Sequence, residues 1–98
     1  MEEQLPDFLQ VLSANLKGGM TFERALWAAV KPRFNVLGSE MANASKKVMT
    51  GYEISKALTE LADKYDSLML RRTVDLMISE VESGGNVADL IDRLVDNL

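Results

Sequence analysis

Apolar residues recur along this chain at three- and four-residue intervals, in blocks separated by Gly, Pro, Ser and Asn. The first block is Leu5, Phe8, Leu9, Leu12 and Leu16, which falls on one face of a helix. Pro6 and Asp7 open it, since proline suits the first helical turn and an acid there complements the helix dipole. Gly18 and Gly19 end it. Thr21 caps a second block of Phe22, Ala25, Leu26 and Ala29, which Pro32 stops. Trp27 and Val30 lie off that stripe and are expected to pack on a second neighbour, because large aromatic side chains usually sit inside.

Four further blocks follow. A third helix starts between Asn35 and Ser39, presents Leu37, Met41, Ala44 and Val48, and ends at Gly51. Gly38 near its start is a poor helix former. The fourth has the clearest period, Ile54, Ala57, Leu58, Leu61, Ala62 and Tyr65. Ser67 caps a fifth, with Leu70, Val74, Met77, Ile78 and Val81 inward, closed by Gly84 and Gly85. Asn86 caps a sixth, with Val87, Leu90, Ile91, Leu94 and Val95 inward. No run alternates with period two, so no strand is expected.

The glycine breaks at Gly19, Gly51 and Gly85 are spaced by 32 and 34 residues. That spacing is close to the period of tetratricopeptide arrays, but the residues between the breaks do not repeat in register. Short connections favour antiparallel neighbours. The expectation is one all-α domain over residues 1–98, a compact antiparallel bundle of about six short helices. The period still runs at Leu94, Val95 and Leu98 with no stop signal after it. That pattern suits either a natural terminal helix or one that continues into further chain.

Composition narrows the chemistry. A hydrophobic fraction of 47% fits a globular domain. The chain has no Cys and no His, so disulfides, thiolate chemistry and imidazole bases or ligands are excluded. The acidic pairs Asp89 with Asp92 and Glu80 with Glu82 are better read as solvated faces than as a metal or acid–base site. Cations four residues away offer local partners in Asp89–Arg93, Arg71–Asp75 and Glu60–Lys64. The six Met residues, at helical spacing, are expected mostly in the core. Neither GxGxxG nor a P-loop occurs. No cofactor, metal or enzymatic activity is expected, and the net charge of −4 argues against nucleic acid as a partner. The longest wholly apolar run is Ala25 to Val30, far short of the roughly 20 residues of a membrane span.

Charge is unevenly spread. Residues 17–47 hold six cations and two acids, while residues 57–98 hold four cations and nine acids. Such asymmetry can orient a module against an acidic partner or a membrane surface. The candidate contact residues are Arg33, Lys46, Lys47, Arg71 and Arg72. Arg71 and Arg72 open the fifth helix, where cations oppose the dipole, and Asp66 and Asp75 are their nearest acids in sequence.

The ordered set Gly18-Gly19, Thr21, Ala25-Leu26, Gly51, Ala57-Leu58, Ser67, Leu70-Arg71-Arg72, Gly84-Gly85 and Leu90 resembles the type II secretion system protein F domain across nearly the whole chain. The segment LRRTVDLMISEVESGGN is most similar to archaeal flagellum, archaeal pilus and tight-adherence members. Lys31-Pro32-Arg33, a more basic linker, and Tyr52 depart from the family pattern. The resemblance implies an all-α cytoplasmic domain of a polytopic membrane protein, at the cytoplasmic face of the cell membrane. It implies a platform for type IV pilus-like filament assembly, with a hexameric secretion ATPase and pilin-like or flagellin subunits as partners. A second copy of the chain, as a homodimer, is a further partner expectation. On this reading the last helix continues toward a transmembrane segment. The rival reading is a free-standing soluble helical adaptor that binds another protein.

Overall fold

The computed structural model describes residues 2–97. These residues contain six α-helices and no strand: α1 (Leu5–Lys17), α2 (Phe22–Ala29), α3 (Asn35–Met49), α4 (Ile54–Asp63), α5 (Leu68–Ser83) and α6 (Val87–Asp96). Short 3-10 turns precede α1 at Glu2–Gln4 and α3 at Pro32–Phe34. Leu98, the last residue of the expected period, lies outside the described residues.

Local hydrogen bonding explains the ends. Gly19, Gly51 and Gly84 have φ of 98°, 103° and 75°, a left-handed backbone that favours glycine. At the first corner the Met20 N–H reaches the Asn15 carbonyl at 3.3 Å and the Gly19 N–H reaches Leu16 at 3.0 Å, the Schellman pair. The same pair recurs after α3, from Tyr52 to Lys47 and from Gly51 to Val48, both at 3.0 Å. After α5 it runs from Gly85 to Glu80 at 3.0 Å and from Gly84 to Val81 at 3.2 Å. The third corner therefore turns on Gly84 rather than Gly85. The side chains of Thr21, Ser67 and Asn86 accept from the N–H groups of Arg24, Leu70 and Asp89 at 3.3, 3.1 and 3.1 Å. All three expected caps are in place.

Each helix packs on the next, and α6 returns to α1 in the most extensive helix–helix contact. The ring is closed, which a solenoid cannot be. The radius of gyration is 12.0 Å, close to the ~13 Å of a 100-residue globule. The core is built from the expected stripes: Phe8, Leu9 and Leu12 of α1, Ala25 and Leu26 of α2, Met41 of α3, Leu58 of α4, Val74 and Met77 of α5, and Ile91 of α6. Phe34, in the linker, joins them and meets the Phe8 ring edge to face at 5.4 Å. That linker explains Gly38. A Cβ there would lie 3.0 Å from the Lys31 carbonyl oxygen and 3.2 Å from the Phe34 Cβ, so the helix keeps a poor helix former to let the linker approach.

Two expectations about the core hold only in part. Val30 packs against it, but Trp27 does not and stays 43% exposed. The indole lies about 140° around α2 from Phe22, on the side away from the apolar stripe. The methionines divide: Met41 and Met77 are buried and Met69 is half-buried, whereas Met20 and Met49 are exposed. Met1 lies outside the described residues.

Candidate interaction surface

The five candidate cations are all exposed, but they do not form one patch of unopposed charge. Lys47 on α3 pairs with Glu60 of α4 at 3.3 Å, and its ammonium lies 5.6 Å from the Tyr52 ring centre. Arg71 on α5 pairs with Asp63 of α4 at 2.8 Å. Helix α4 thus carries acids on both flanks that neutralise a cation from each neighbour. Arg33 lies 5.0 Å from the centre of the Phe34 ring and Arg72 lines a cleft with Met69, Thr73, Leu94 and Asn97. Among the described residues Arg33, Lys46 and Arg72 form no ion pair.

The local pairs read from sequence spacing are replaced by pairs between helices. Glu60 takes Lys47 rather than Lys64, and Lys64 reaches Glu40 of α3 at 3.3 Å. Arg71 takes Asp63 rather than Asp66 or Asp75, and no ion pair joins Asp89 to Arg93 among the described residues. A helix packed alongside brings an acid to a cation as closely as the next turn does, and spacing along one helix does not register it.

Two tyrosines complete this pattern. The Tyr65 hydroxyl donates to Glu40 and the Tyr52 hydroxyl to Glu60. Each carboxylate therefore receives one phenol and one ammonium. Both carboxyl groups are held below their ordinary range, first by the tyrosine hydrogen bond and then by the lysine. Both phenols are pushed up, first because each hydroxyl donates a hydrogen bond to its carboxylate, and then by burial and by the neighbouring negative charge. These clamps join α3 to α4; the sequence reading put Tyr65 in the apolar period of the fourth helix, which ends before it at Asp63, and foresaw no hydrogen bond from either tyrosine.

A third link closes the ring. Asp92 of α6 accepts from Lys17 at 2.5 Å and from Ser13 at 2.7 Å, both on α1. The Lys17 ammonium and the Ser13 hydroxyl lower the Asp92 pKa, and the same carboxylate raises that of Lys17. One member of the Asp89–Asp92 pair is thus a structural tie. Among the described residues no three acidic groups gather as a metal site would require.

One exposed apolar cleft was not assigned from the sequence. Met20, Trp27 and Met49 line one cleft together with Glu23, Arg24 and Ala28. The one available signal was the position of Trp27 off the apolar stripe of its helix.

Six helices closed into a ring define an all-α bundle domain. The family model for Type II secretion system (T2SS), protein F, matches residues 8–98, and the chain belongs to that family. No curated protein and no solved structure matches the chain. None of the helices among the described residues is long and apolar enough to cross a membrane.

Proposed function

We propose that the chain is a non-catalytic, cofactor-free domain at the cytoplasmic face of a membrane platform for pilus-like filament assembly or type II secretion. In this reading it couples a hexameric secretion ATPase to the movement of pilin-like or flagellin subunits. The archaeal flagellum, archaeal pilus and tight-adherence machines are the branch proposed. The family match over residues 8–98 carries the reading.

The ATPase contact is assigned to the cationic side chains, ordered by their partners. Arg33, Lys46 and Arg72 come first, because no carboxylate within the fold competes for them. Lys47 and Arg71 come second, since each must give up an α4 acid before it can meet another. Exposed charges of this kind chiefly affect encounter and specificity.

The test is binding of the purified chain to a secretion ATPase from the same organism. Combined reversal of Arg33, Lys46 and Arg72 to Glu is expected to weaken binding by about tenfold or more, with helical circular dichroism unchanged. A folded triple variant that binds as well as the wild type removes these cations from the contact. A wild-type chain that binds no such ATPase defeats the coupling reading and favours the helical adaptor.

A further inference from the structure

The start of α2, the start of α4 and the end of α5 converge on an apolar cleft of about 90 Å³. Its walls include the half-buried Phe22, Ile54, Ile78 and Val81, and its rim carries the exposed Glu53 and Glu82. A second cleft, of about 530 Å³, shares Phe22 and Val81 with the first and runs on past Leu16 and Val87 to Gly84 and Gly85. The shared residues make the two clefts one continuous apolar groove. Among the described residues no lysine or arginine lines either part of it.

The charges at the rim say what fits there. Glu53 has a local reason for its place. It precedes α4, where a negative charge suits the helix dipole, and it accepts from the Ser55 hydroxyl at 2.8 Å. Glu82 has no such reason. It lies in the last turn of α5, beside the carbonyls that end the helix, where a carboxylate opposes the dipole, and that turn holds no basic residue. Neither acid forms an ion pair among the described residues. Two like charges thus border one small apolar cleft with no cation between them. A lysine or arginine side chain matches both features, since its methylene stem lies on apolar walls while its charged head meets carboxylates at the rim. The wider part of the groove offers Phe22, Val81 and Val87 to apolar residues beside that cation.

We infer that this groove docks a basic amphipathic segment of a protein partner, with a Lys or Arg held between Glu53 and Glu82 and apolar side chains laid along Phe22, Val81 and Val87. The contact uses none of the five cations assigned to the ATPase and stands or falls apart from that assignment. The chain carries a net charge of −4, so any basic segment is also drawn to it at long range. Variants that remove the same charge from different places separate that attraction from the groove.

Fluorescence anisotropy of labelled synthetic peptides, about four helical turns long, reads the outcome. A Leu–Lys peptide with one apolar and one cationic face is expected to bind the purified chain with a Kd below about 100 μM. A Leu–Glu counterpart, and a Ser–Lys peptide of the same charge as the first, are expected to bind more weakly by about tenfold or more. Glu53→Gln combined with Glu82→Gln is expected to weaken binding of the Leu–Lys peptide by about tenfold or more. Asp66→Asn combined with Asp96→Asn removes two charges that lie between α4 and α5 and at the end of α6, and is expected to leave binding unchanged. Amide chemical shifts are expected to move at Phe22, Ile54 and Val81 on titration with the Leu–Lys peptide. Circular dichroism monitors the fold of every variant. A wild type that fails to bind the Leu–Lys peptide below about 1 mM overturns the inference. So does a folded Glu53→Gln, Glu82→Gln variant that binds as well as the wild type. An equal loss in the Asp66→Asn, Asp96→Asn variant, or a Ser–Lys peptide that binds as tightly, overturns it in favour of net charge alone.

Discussion

Ser13 in α1 and Trp27 in α2 both lie off the apolar stripe of their helix, Ser13 about 80° around from Leu5 and Trp27 about 140° around from Phe22. Their fates are the reverse of their polarity. Ser13 is only 2% exposed, while Trp27 is 43% exposed. Helix α1 has α2 on one flank and α6 on the other, so a flank position becomes interior. There the serine hydroxyl is satisfied by Asp92 at 2.7 Å, which makes its burial tolerable. The side of α2 that carries Trp27 is left exposed. A helix stripe identifies the residues that face the core; the covering of its flanks is decided by the number of helices that arrive beside it.

The strongest test of this comparison sets one aromatic truncation against another. Phe8 is fully buried and packs edge to face on Phe34, so Phe8→Ala is expected to cost about 3–5 kcal/mol in urea unfolding. A loss below ~1 kcal/mol would mean that α1 is not the packed centre of the ring.

Acid comes next, because it acts on both seams together. Asp92 ties α6 to α1, and Glu40 and Glu60 tie α3 to α4, all with lowered carboxyl pKa values. Groups whose folded pKa is depressed contribute stability that is full above the unfolded value and is lost as pH falls through the folded one. The melting temperature is therefore expected to hold near neutrality and to decline below about pH 5, once the carboxylates begin to protonate in the unfolded chain. An Asp92→Asn variant with the same acid profile as the wild type would remove the α1–α6 tie from this effect.

Ser13→Ala isolates the covered flank. It removes the donor to Asp92 and is expected to destabilise by about 1 kcal/mol by chemical denaturation. An unchanged midpoint would show that α6 covers Ser13 without using it. Smallest of all is Trp27→Ala in dilute monomer, expected within about 0.5 kcal/mol of wild type although Trp is the largest side chain in the protein. A loss of several kcal/mol would place the indole in the core after all.

Much of this architecture was legible because it depends on short-range chemistry. The left-handed turns at Gly19 and Gly51, the caps at Thr21, Ser67 and Asn86, and the buried stripes are each set within a turn or two of chain. The third corner shifted by one residue because either glycine of a Gly-Gly pair can take the left-handed place. Charge pairing was not legible. Spacing along one helix joined Glu60 to Lys64, whereas packing gave Glu60 to Lys47 and Tyr52, and Lys64 to Glu40. Of the five candidate cations, sequence gave the exposure but not the partners. It could not foresee that α4 would neutralise Lys47 and Arg71 while Arg33, Lys46 and Arg72 form no ion pair among the described residues.

The sequence by itself determined the six helices, where most of them stop, which side of each is apolar, and a family resemblance carried by the order of its glycine, Ala-Leu and Leu-Arg-Arg elements. Those features depend on backbone hydrogen bonds and side-chain periodicity within a few residues. Only the tertiary structure decided that α6 closes on α1, that Phe34 and Gly38 let the linker into the core, and that Trp27 stands outside it. Burial is a property of neighbours, and the neighbours of Ser13 lie 75 and 79 residues away in the chain. At that distance, no local preference records which flank of a helix will be covered.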